Sequence, residues 1–255
     1  MKNKKNIVLK TENLTIGYQS KKAQHIVASG INLSIERGKL VTVLGKNGIG
    51  KSTLLRTISK VQQPLNGSIF INQKNIANYS NTILSTTLSL VLTERLPESQ
   101  LTVFELVALG RQPYTNWIDK LTDTDLEKIN WAIHQTEITH LKDKFFYELS
   151  DGQLQRVLIA RALAQDTAII ILDEPTAHLD LHHTIKIFSL LKKLVIETSK
   201  TIILSTHEVN LSIQFSDEIV LFTDKKIHTG TPSTLIKTNA FENLFPKELF
   251  PGTPS

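Results

Sequence analysis

The sequence predicts an α/β fold built around a largely parallel sheet. Apolar segments at residues 41–44, 168–172, 201–204 and 218–222 are predicted to be buried strands, since they lack the alternation of a half-exposed strand. Helical stretches lie between them along the chain, and strands that alternate with helices form parallel sheets. The first of these strands runs directly into a glycine-rich loop, which a helix over residues 52–58 follows.

Shorter strands are predicted on either side of this loop. Ile31, Leu33 and Ile35 alternate with polar neighbours, which is the period of a half-buried strand. Residues 64–67, Pro-Leu-Asn-Gly, predict a turn, and a strand follows over residues 68–71. Because the loop stands between a strand and a helix, its glycine pattern indicates a phosphate-binding element and not a chance match.

The middle of the chain changes to a helical pattern. Thr102 and Glu105 form a predicted capping box, and Thr122 opens a second helix. The apolar stripe of that second helix is predicted to comprise Leu126, Ile129 and Ile133. We therefore expect a helical sub-domain over about residues 75–160, inserted into a single domain that spans residues 1–255.

Composition and charge exclude several classes of protein. The chain has 255 residues, no cysteine and a net charge of +5, so neither a disulfide framework nor a thiolate metal site is possible. The positive charge would suit a polyanion, but the lysines are scattered, which favours a solvated surface and no nucleic-acid partner. No apolar run approaches the roughly 18 residues of a membrane span, and we expect a cytoplasmic protein.

Residues 45–52, Gly-Lys-Asn-Gly-Ile-Gly-Lys-Ser, have the full spacing of a phosphate-binding loop. Its glycines let backbone N–H groups turn inward, and the following helix directs its N-terminus at the phosphates. Lys51 is predicted to bridge the β- and γ-oxygens, and the Ser52 hydroxyl to bind Mg²⁺. The nucleotide-binding residues predicted here are Gly45, Lys46, Asn47, Gly48, Ile49, Gly50, Lys51, Ser52 and Thr53.

Two adjacent carboxylates, Asp173 and Glu174, end the apolar strand at residues 168–172. The carboxyl end of that strand is expected at the sheet edge beside the phosphate loop, where Asp173 would hold Mg²⁺. Glu174 is one residue further along and is expected to point in a different direction. Taken alone, such a pair could be a solvated strand end, but a complete phosphate-binding loop beside it favours a catalytic role.

A third string, residues 149–153, reads Leu-Ser-Asp-Gly-Gln. Ser150 is a natural helix N-cap, and Gly152 admits an anion to the helix end. In this order the three strings resemble the nucleotide-binding subunit of ATP-binding-cassette (ABC) machines, with Asp151 where that family has glycine. The resemblance runs from Tyr18 to about His228 and implies a P-loop ABC ATPase core, with a mostly parallel sheet, an antiparallel β part and an inserted helical sub-domain.

The resemblance assigns roles within the ATP site of one chain. It makes Glu174 the general base that polarises the attacking water, and His207 the switch histidine that contacts the γ-phosphate. Tyr18 is similar to the aromatic that stacks on adenine. The family's usual glutamine after the strand at residues 88–92 aligns with Thr93, which we expect as a further Mg²⁺ ligand.

The resemblance also implies that two chains share each ATP. The binding segment Ser150, Asp151, Gly152 and Gln153 would contact ATP held by a second copy of the chain, and Asp180 lies in a loop that couples the two sites. The expected cofactors are ATP and Mg²⁺. The expected partners are that second copy, a polytopic permease docking near residues 93–118 and, indirectly, a substrate-binding protein, which places the chain on the inner face of the membrane.

Residues 105–114 are similar to a Gly-Arg-x-Pro segment in cassettes of iron-siderophore, haem and vitamin B12 importers. A structural explanation, core helix followed by a turn, accounts for its apolar residues but not for Gly110, Arg111 and Pro113. This favours an importer of an iron complex or cobalamin. Another ABC transporter class and a non-transport ABC ATPase remain alternatives.

Overall fold

The computed structural model describes residues 6–20, 23–92, 99–115, 120–223 and 226–241. Its strands are Ile7–Gln19 (β1), Gln24–Ile31 (β2), Ser34–Glu36 (β3), Leu40–Leu44 (β4), Asn66–Ile71 (β5), Lys74–Asn75 (β6), Leu88–Val91 (β7), Ile169–Leu172 (β8), Thr201–Thr206 (β9), Glu218–Phe222 (β10) and Ile227–Gly230 (β11). Its helices are Lys51–Ile58 (α1), Asn81–Ser85 (α2), Val103–Ala108 (α3), Asp123–Gln135 (α4), Asp151–Ala164 (α5), Leu181–Thr198 (α6), Val209–Phe215 (α7) and Pro232–Lys237 (α8). Short 3₁₀ turns lie at Ile76–Asn78, Leu109–Tyr114, Thr139–Leu141 and Phe146–Glu148.

The predicted parallel sheet is confirmed, with the strand order β11-β10-β4-β9-β8-β7. Neighbours from β10 to β7 pair in parallel, and β11 joins the edge antiparallel to β10. Every residue of β4, β8 and β9 is buried. This burial explains their unbroken apolar sequences, because both faces of these strands are covered.

The second sheet is antiparallel, and β1 is its centre. It pairs with β2, β3 and β5, and β6 extends it beyond β5. The single strand predicted across Ile31, Leu33 and Ile35 is wrong, since β2 ends at Ile31 and β3 begins at Ser34. The Thr11 hydroxyl interrupts the strand because it donates to Ile31 O and accepts from Leu33 N, both at 2.9 Å.

Helix α1 lies in a core shared by the two sheets. Leu54, Leu55 and Ile58 are fully buried in the same cluster as Val43 of the parallel sheet and Ile69 of the antiparallel one. The opposite face of the parallel sheet is covered by a second cluster, to which α6 contributes Phe188, Leu191 and Leu194. The helix after the phosphate loop is therefore held from both sides.

The helical stretch is built by α3, α4 and α5, whose buried side chains share one cluster. The predicted capping box of Thr102 with Glu105 forms, and Thr122 caps α4 as predicted, in a second capping box with Asp125 that the sequence analysis did not include. The predicted stripe on α4 is wrong at Leu126, which is 37% exposed while Ile129 and Ile133 are buried. The range 75–160 also contains β7, which pairs with β8 in the parallel sheet, so this range is not uniformly helical.

The Gly-Arg-x-Pro segment joins these helices. A side chain at Gly110 would approach Arg161 O of α5 to 2.3 Å, so glycine lets the two backbones touch. Arg111 is buried, donates through Nε to Asp125 Oδ1 on α4, and donates through Nη1 to Ala164 O, both at 2.8 Å. The structure thus gives this motif a packing role that the sequence did not reveal.

Among the described helices, none is both long and apolar enough to cross a membrane.

Candidate ATP site

The phosphate loop connects β4 to α1. Gly48 has φ 78° and Gly50 has φ 113°, both in the left-handed region that favours glycine. A Cβ at Gly50 would also lie 2.3 Å from Cγ1 of Val27. The loop tip at Lys46, Asn47 and Gly48 is exposed, so its backbone is accessible to a ligand.

Lys51 is buried at the first position of α1. Its ammonium donates to Gly45 O at 3.0 Å and to Lys46 O at 3.1 Å. It also lies 3.3 Å from Oε1 of Glu174, a contact between the phosphate loop and the predicted carboxylate pair. The lysine therefore stands between the loop carbonyls and a carboxylate, and its charge is available to a third partner at the loop.

Asp173 is the residue after β8, and its N–H donates to Val91 O at 2.8 Å. Its Oδ1 accepts from the hydroxyl of Ser52 at 2.9 Å and from the hydroxyl of Ser205 at 2.7 Å. Hydroxyl and carboxylate oxygens are the ligands that Mg²⁺ prefers. Among the described residues no group of three His, Cys, Asp or Glu side chains gathers.

Glu174 has φ 46°, a left-handed conformation that is uncommon outside glycine, asparagine and aspartate. Its N–H donates to the Ser205 hydroxyl at 2.8 Å. Because the chain leaves the strand direction here, the Glu174 carboxylate turns towards Lys51. The two adjacent carboxylates therefore have different partners, as the sequence predicted.

Tyr18 lies on β1, and its ring is about half exposed. Its hydroxyl is 2.9 Å from the hydroxyl of Thr53 on α1, so the ring stands beside the helix that begins with Lys51. A pocket of about 390 Å³ borders Tyr18 and includes Gln62. Stacking of adenine on this ring stays a prediction.

Ser150 and Gln153 form a capping box at the start of α5, with Ser150 N donating to Gln153 Oε1 at 3.0 Å and Gln153 N to Ser150 Oγ at 3.4 Å. Ser150 and Asp151 are exposed. A Cβ at Gly152 would lie 2.8 Å from Cδ2 of His183, so the glycine makes room for this ring. The string therefore begins a helix whose N-cap Ser150 and first residue Asp151 are open to a partner, while Gly152 is buried.

Asp180 caps α6 and accepts from the backbone N–H and from Nδ1 of His183, both at 2.8 Å. These hydrogen bonds hold the pKa of Asp180 below its ordinary value. His183, which the sequence analysis did not single out, thus links the predicted coupling loop to Gly152. The spacing Asp-x-x-His at a helix start is the signal that could have revealed it.

His207 follows β9 and is exposed, with its Nε2 3.6 Å from Oε1 of Glu208. Its contact with the γ-phosphate stays a prediction. Thr93 lies outside the described residues, and its predicted binding of Mg²⁺ also stays a prediction. Ser205 was not predicted as a site residue, since it carries no motif and shares its buried strand with two other polar residues, Thr201 and Thr206.

A family model described as "ABC transporter" matches residues 28–177, which contain the phosphate loop, the capped helix α5 and both carboxylates. The chain belongs to the ABC transporter family. The iron(3+)-hydroxamate import ATP-binding protein of Bacillus subtilis is 35% identical over 93% of this chain and 87% of its own. The ferric enterobactin transport ATP-binding protein of Escherichia coli is 34% identical, with 93% and 86% covered.

A solved structure confirms the fold of this ABC cassette. It is the dimeric post-hydrolysis state of an ATP-binding cassette bound to ADP and Pi, 28% identical, with a TM-score of 0.75 over 88% of this chain and 98% of that one. The predicted P-loop ABC ATPase core, with its mixed sheets and helices, is therefore confirmed. The ABC cassette described here is an ATP-binding and ATP-hydrolysing subunit.

Proposed function

We propose that this cassette powers import of an iron–siderophore complex through a membrane permease. The observation that carries the ATPase part is the cluster of Lys51, Ser52, Asp173 and Glu174, contributed by the start of α1 and by the residues that follow β8. The import part is supported by the hydroxamate and enterobactin relatives, which transport different siderophores. Haem and cobalamin, which the sequence also suggested, become outcomes of the test.

The negatively charged phosphates of ATP would bind at the start of α1. Lys51 would exchange the carbonyls of Gly45 and Lys46 for β- and γ-phosphate oxygens, which also releases its 3.3 Å contact with Glu174. ATP binding thereby frees the Glu174 carboxylate at the place where the γ-phosphate arrives. Tyr18, held beside Thr53, would support the adenine.

The oxygen ligands of Ser52 and Asp173 fit Mg²⁺, and Thr93 is proposed as a third. When bound, the ion neutralises charge on the β- and γ-phosphates. Glu174 is proposed to take the proton of the attacking water, and His207 to orient that water. Because the Ser52 hydroxyl already lies 2.9 Å from Asp173, little rearrangement of these two ligands is needed.

The working unit is proposed to be a homodimer that binds two ATP molecules at the interface between its two copies. The start of α5, with Ser150 exposed and Gly152 buried beside it, would complete the site of the second copy, and Asp180 would couple both sites. The dimeric form of the solved cassette supports this arrangement. Within each copy we propose one ATPase domain over residues 1–255, with the helical sub-domain inside it.

The remaining partners follow from the import proposal. A permease would dock near residues 93–118 and hold the cassette on the cytoplasmic face of the cell membrane. A substrate-binding protein would act through that permease, and no nucleic acid takes part. Affinity purification of the tagged cassette from detergent-solubilised membranes should recover a polytopic permease, whereas ribosomes, DNA or a soluble scaffold would contradict the transport proposal.

Replacing Glu174 with glutamine tests the proposed base. The variant should bind ATP and form a stable dimer but lose at least about 100-fold in kcat, since general-base catalysis contributes on the order of 10²–10⁴. Glu12→Gln is the matched control, because Glu12 also pairs with a lysine, Lys10, but at the exposed surface. Parental turnover by Glu174→Gln would refute the assignment.

The substrate is tested with the cassette and the recovered permease in liposomes. ATP-driven uptake of a ferric hydroxamate or ferric enterobactin above that of haem and cobalamin supports the proposal. Uptake restricted to haem or cobalamin would replace the siderophore assignment and leave the importer assignment intact. Stimulated ATP hydrolysis with none of these four substrates transported would refute both.

A further inference from the structure

Ser205 lies at the centre of the parallel sheet, in the strand between the one that leads into the phosphate loop and the one that ends at Asp173. It pairs with Val43 of β4, and Leu204 pairs with Leu172 of β8, so Ser205 is level with Asp173. Its side chain is fully buried. A buried hydroxyl needs partners within the protein.

The Ser205 hydroxyl has one donor and one acceptor contact. It donates to Asp173 Oδ1 at 2.7 Å and accepts from the Glu174 N–H at 2.8 Å. Cysteine is a weak substitute and alanine provides neither contact, so only a hydroxyl serves both groups well. One side chain thus holds the carboxylate of Asp173 and the backbone of Glu174.

These two contacts hold the backbone between Asp173 and Glu174, which sets the directions of the two carboxylates. Glu174 has φ 46°, which for a residue with a side chain persists only when the surroundings hold it. The N–H that Ser205 accepts from belongs to this strained residue. Losing that contact would let the peptide between the two carboxylates rotate and move the Glu174 side chain away from the loop.

We propose that Ser205 is a positioning residue for ATP hydrolysis, which fixes the two neighbouring carboxylates relative to each other through a single hydroxyl. The inference rests on the proposed role of Glu174 as the general base. Ser205 itself contacts the carboxylate of Asp173 and the backbone of Glu174, so it acts through them. Its loss should therefore lower kcat more than it weakens ATP binding, which depends mainly on the loop and Lys51.

The test compares Ser205→Ala with Ser205→Thr and with a matched control. Thr201→Val is the control, because Thr201 is also fully buried in β9, points to the same face as Ser205, and hydrogen-bonds Gly38 N at 3.0 Å at the far end of the strand. kcat is measured at saturating Mg-ATP, the ATP dissociation constant by titration calorimetry, and folding by thermal melting. Ser205→Cys is made alongside, because it keeps the size of serine and provides only a weak donor.

Ser205→Ala is expected to lower kcat about 10- to 100-fold, as for loss of a hydrogen bond to a charged group. Its ATP dissociation constant should stay within about threefold, and Ser205→Thr should restore most of kcat, since strands accept threonine. If alanine prevents folding, Ser205→Cys must show the same loss of kcat. Three results would overturn the proposal. The first is a folded Ser205→Ala or Ser205→Cys protein whose kcat is within about twofold of the parental value, and the second is an equal loss of kcat in Thr201→Val. The third is a folded Ser205→Thr protein that is as slow as Ser205→Ala.

The outcome is distinguishable from failure of the proposed function. A Glu174→Gln protein with parental turnover would remove the base that Ser205 is meant to position. If Glu174→Gln is inactive while Ser205→Ala is fully active, the base assignment stands and only the Ser205 inference fails.

Discussion

Replacing Arg111 with methionine tests whether the Gly-Arg-x-Pro segment stabilises the helical stretch. Arg111 and Asp125 are 6% and 4% exposed, with Nε to Oδ1 at 2.8 Å. Removing one partner of a buried ion pair costs about 3–5 kcal/mol, because the remaining charge stays buried without its partner. For a chain of this size that loss corresponds to a fall in melting temperature of roughly 6–20 °C.

The control is a second arginine–carboxylate pair with the same geometry and less burial. Arg156 and Glu137 are also separated by 2.8 Å, but Glu137 is 58% exposed. Exposed pairs contribute about 0–1 kcal/mol, so Arg156→Met should change the melting temperature by only a few degrees. Equal losses in the two variants, measured by thermal and urea unfolding, would refute the argument from burial.

The effect of Arg111→Met should also depend on pH in a defined direction. Burial opposes ionisation of Asp125, but hydrogen bonds from Thr122 and Arg111 outweigh it and hold its pKa below the ordinary 3.8. A carboxyl whose pKa is lower in the folded state than in the unfolded state stabilises the folded protein at every pH above its unfolded-state pKa. This stabilisation is lost as the pH falls through the folded-state pKa. The difference in unfolding free energy between parent and variant should therefore be full at pH 6–8 and shrink below about pH 4. A difference that stays constant down to pH 3 would mean that the charge of Asp125 is not involved.

Two further predictions concern the nucleotide. Tyr18→Ala should weaken ATP binding by about 1–3 kcal/mol, the usual worth of stacking on one base, while Tyr18→Phe should stay within about threefold. Inorganic triphosphate, which has no base, should bind both variants like the parent, and an unchanged ATP affinity in Tyr18→Ala would remove Tyr18 from the site. Ser150→Arg and Lys51→Ala should each be inactive alone, but their equimolar mixture should recover up to about a quarter of parental activity, since half of the randomly formed dimers contain one copy of each variant and carry one intact composite site out of two. A mixture as inactive as its components, or full activity in a strictly monomeric parent, would contradict the shared-site model.

Local patterns predicted the elements of this molecule well, because each depends on neighbours in sequence. Capping boxes, the glycine loop and the apolar strands are of this kind, and their bounds differ from the prediction by one or two residues. The break near Leu33 was not predictable, since it is caused by the hydroxyl of Thr11 from another strand. The exposure of Leu126 was likewise not predictable, since periodicity places it on the apolar stripe of α4 and does not contain the position of the neighbouring helices.

The residues of the candidate site likewise fall into those that local sequence predicts and those that it does not. The loop and the carboxylate pair follow from sequence spacing, whereas Ser205 reaches Asp173 across 32 positions and Arg111 reaches Ala164 across 53. Such contacts become visible only when the strand order and the helix packing are known. A motif that resembles a family marker, as Gly-Arg-x-Pro does, can therefore owe its residues to packing.

The parallel sheet explains why the catalytic groups can be placed so closely. β4, β9 and β8 are adjacent, fully buried strands, and their carboxyl ends present the phosphate loop, Ser205 with His207, and Asp173 with Glu174. Buried strands hold their register because a slip would move every side chain to the other face. The first turn of α5, by contrast, belongs to the helices tied together by Arg111 and Asp125. The groups that would act on the cassette's own ATP thus lie at the sheet edge and at the start of α1, while Ser150 and Gly152, proposed to reach a second copy, lie on the helical stretch. That stretch shares one buried cluster with α6 and with β8 and β9, so a single core supports both halves of the proposed shared site.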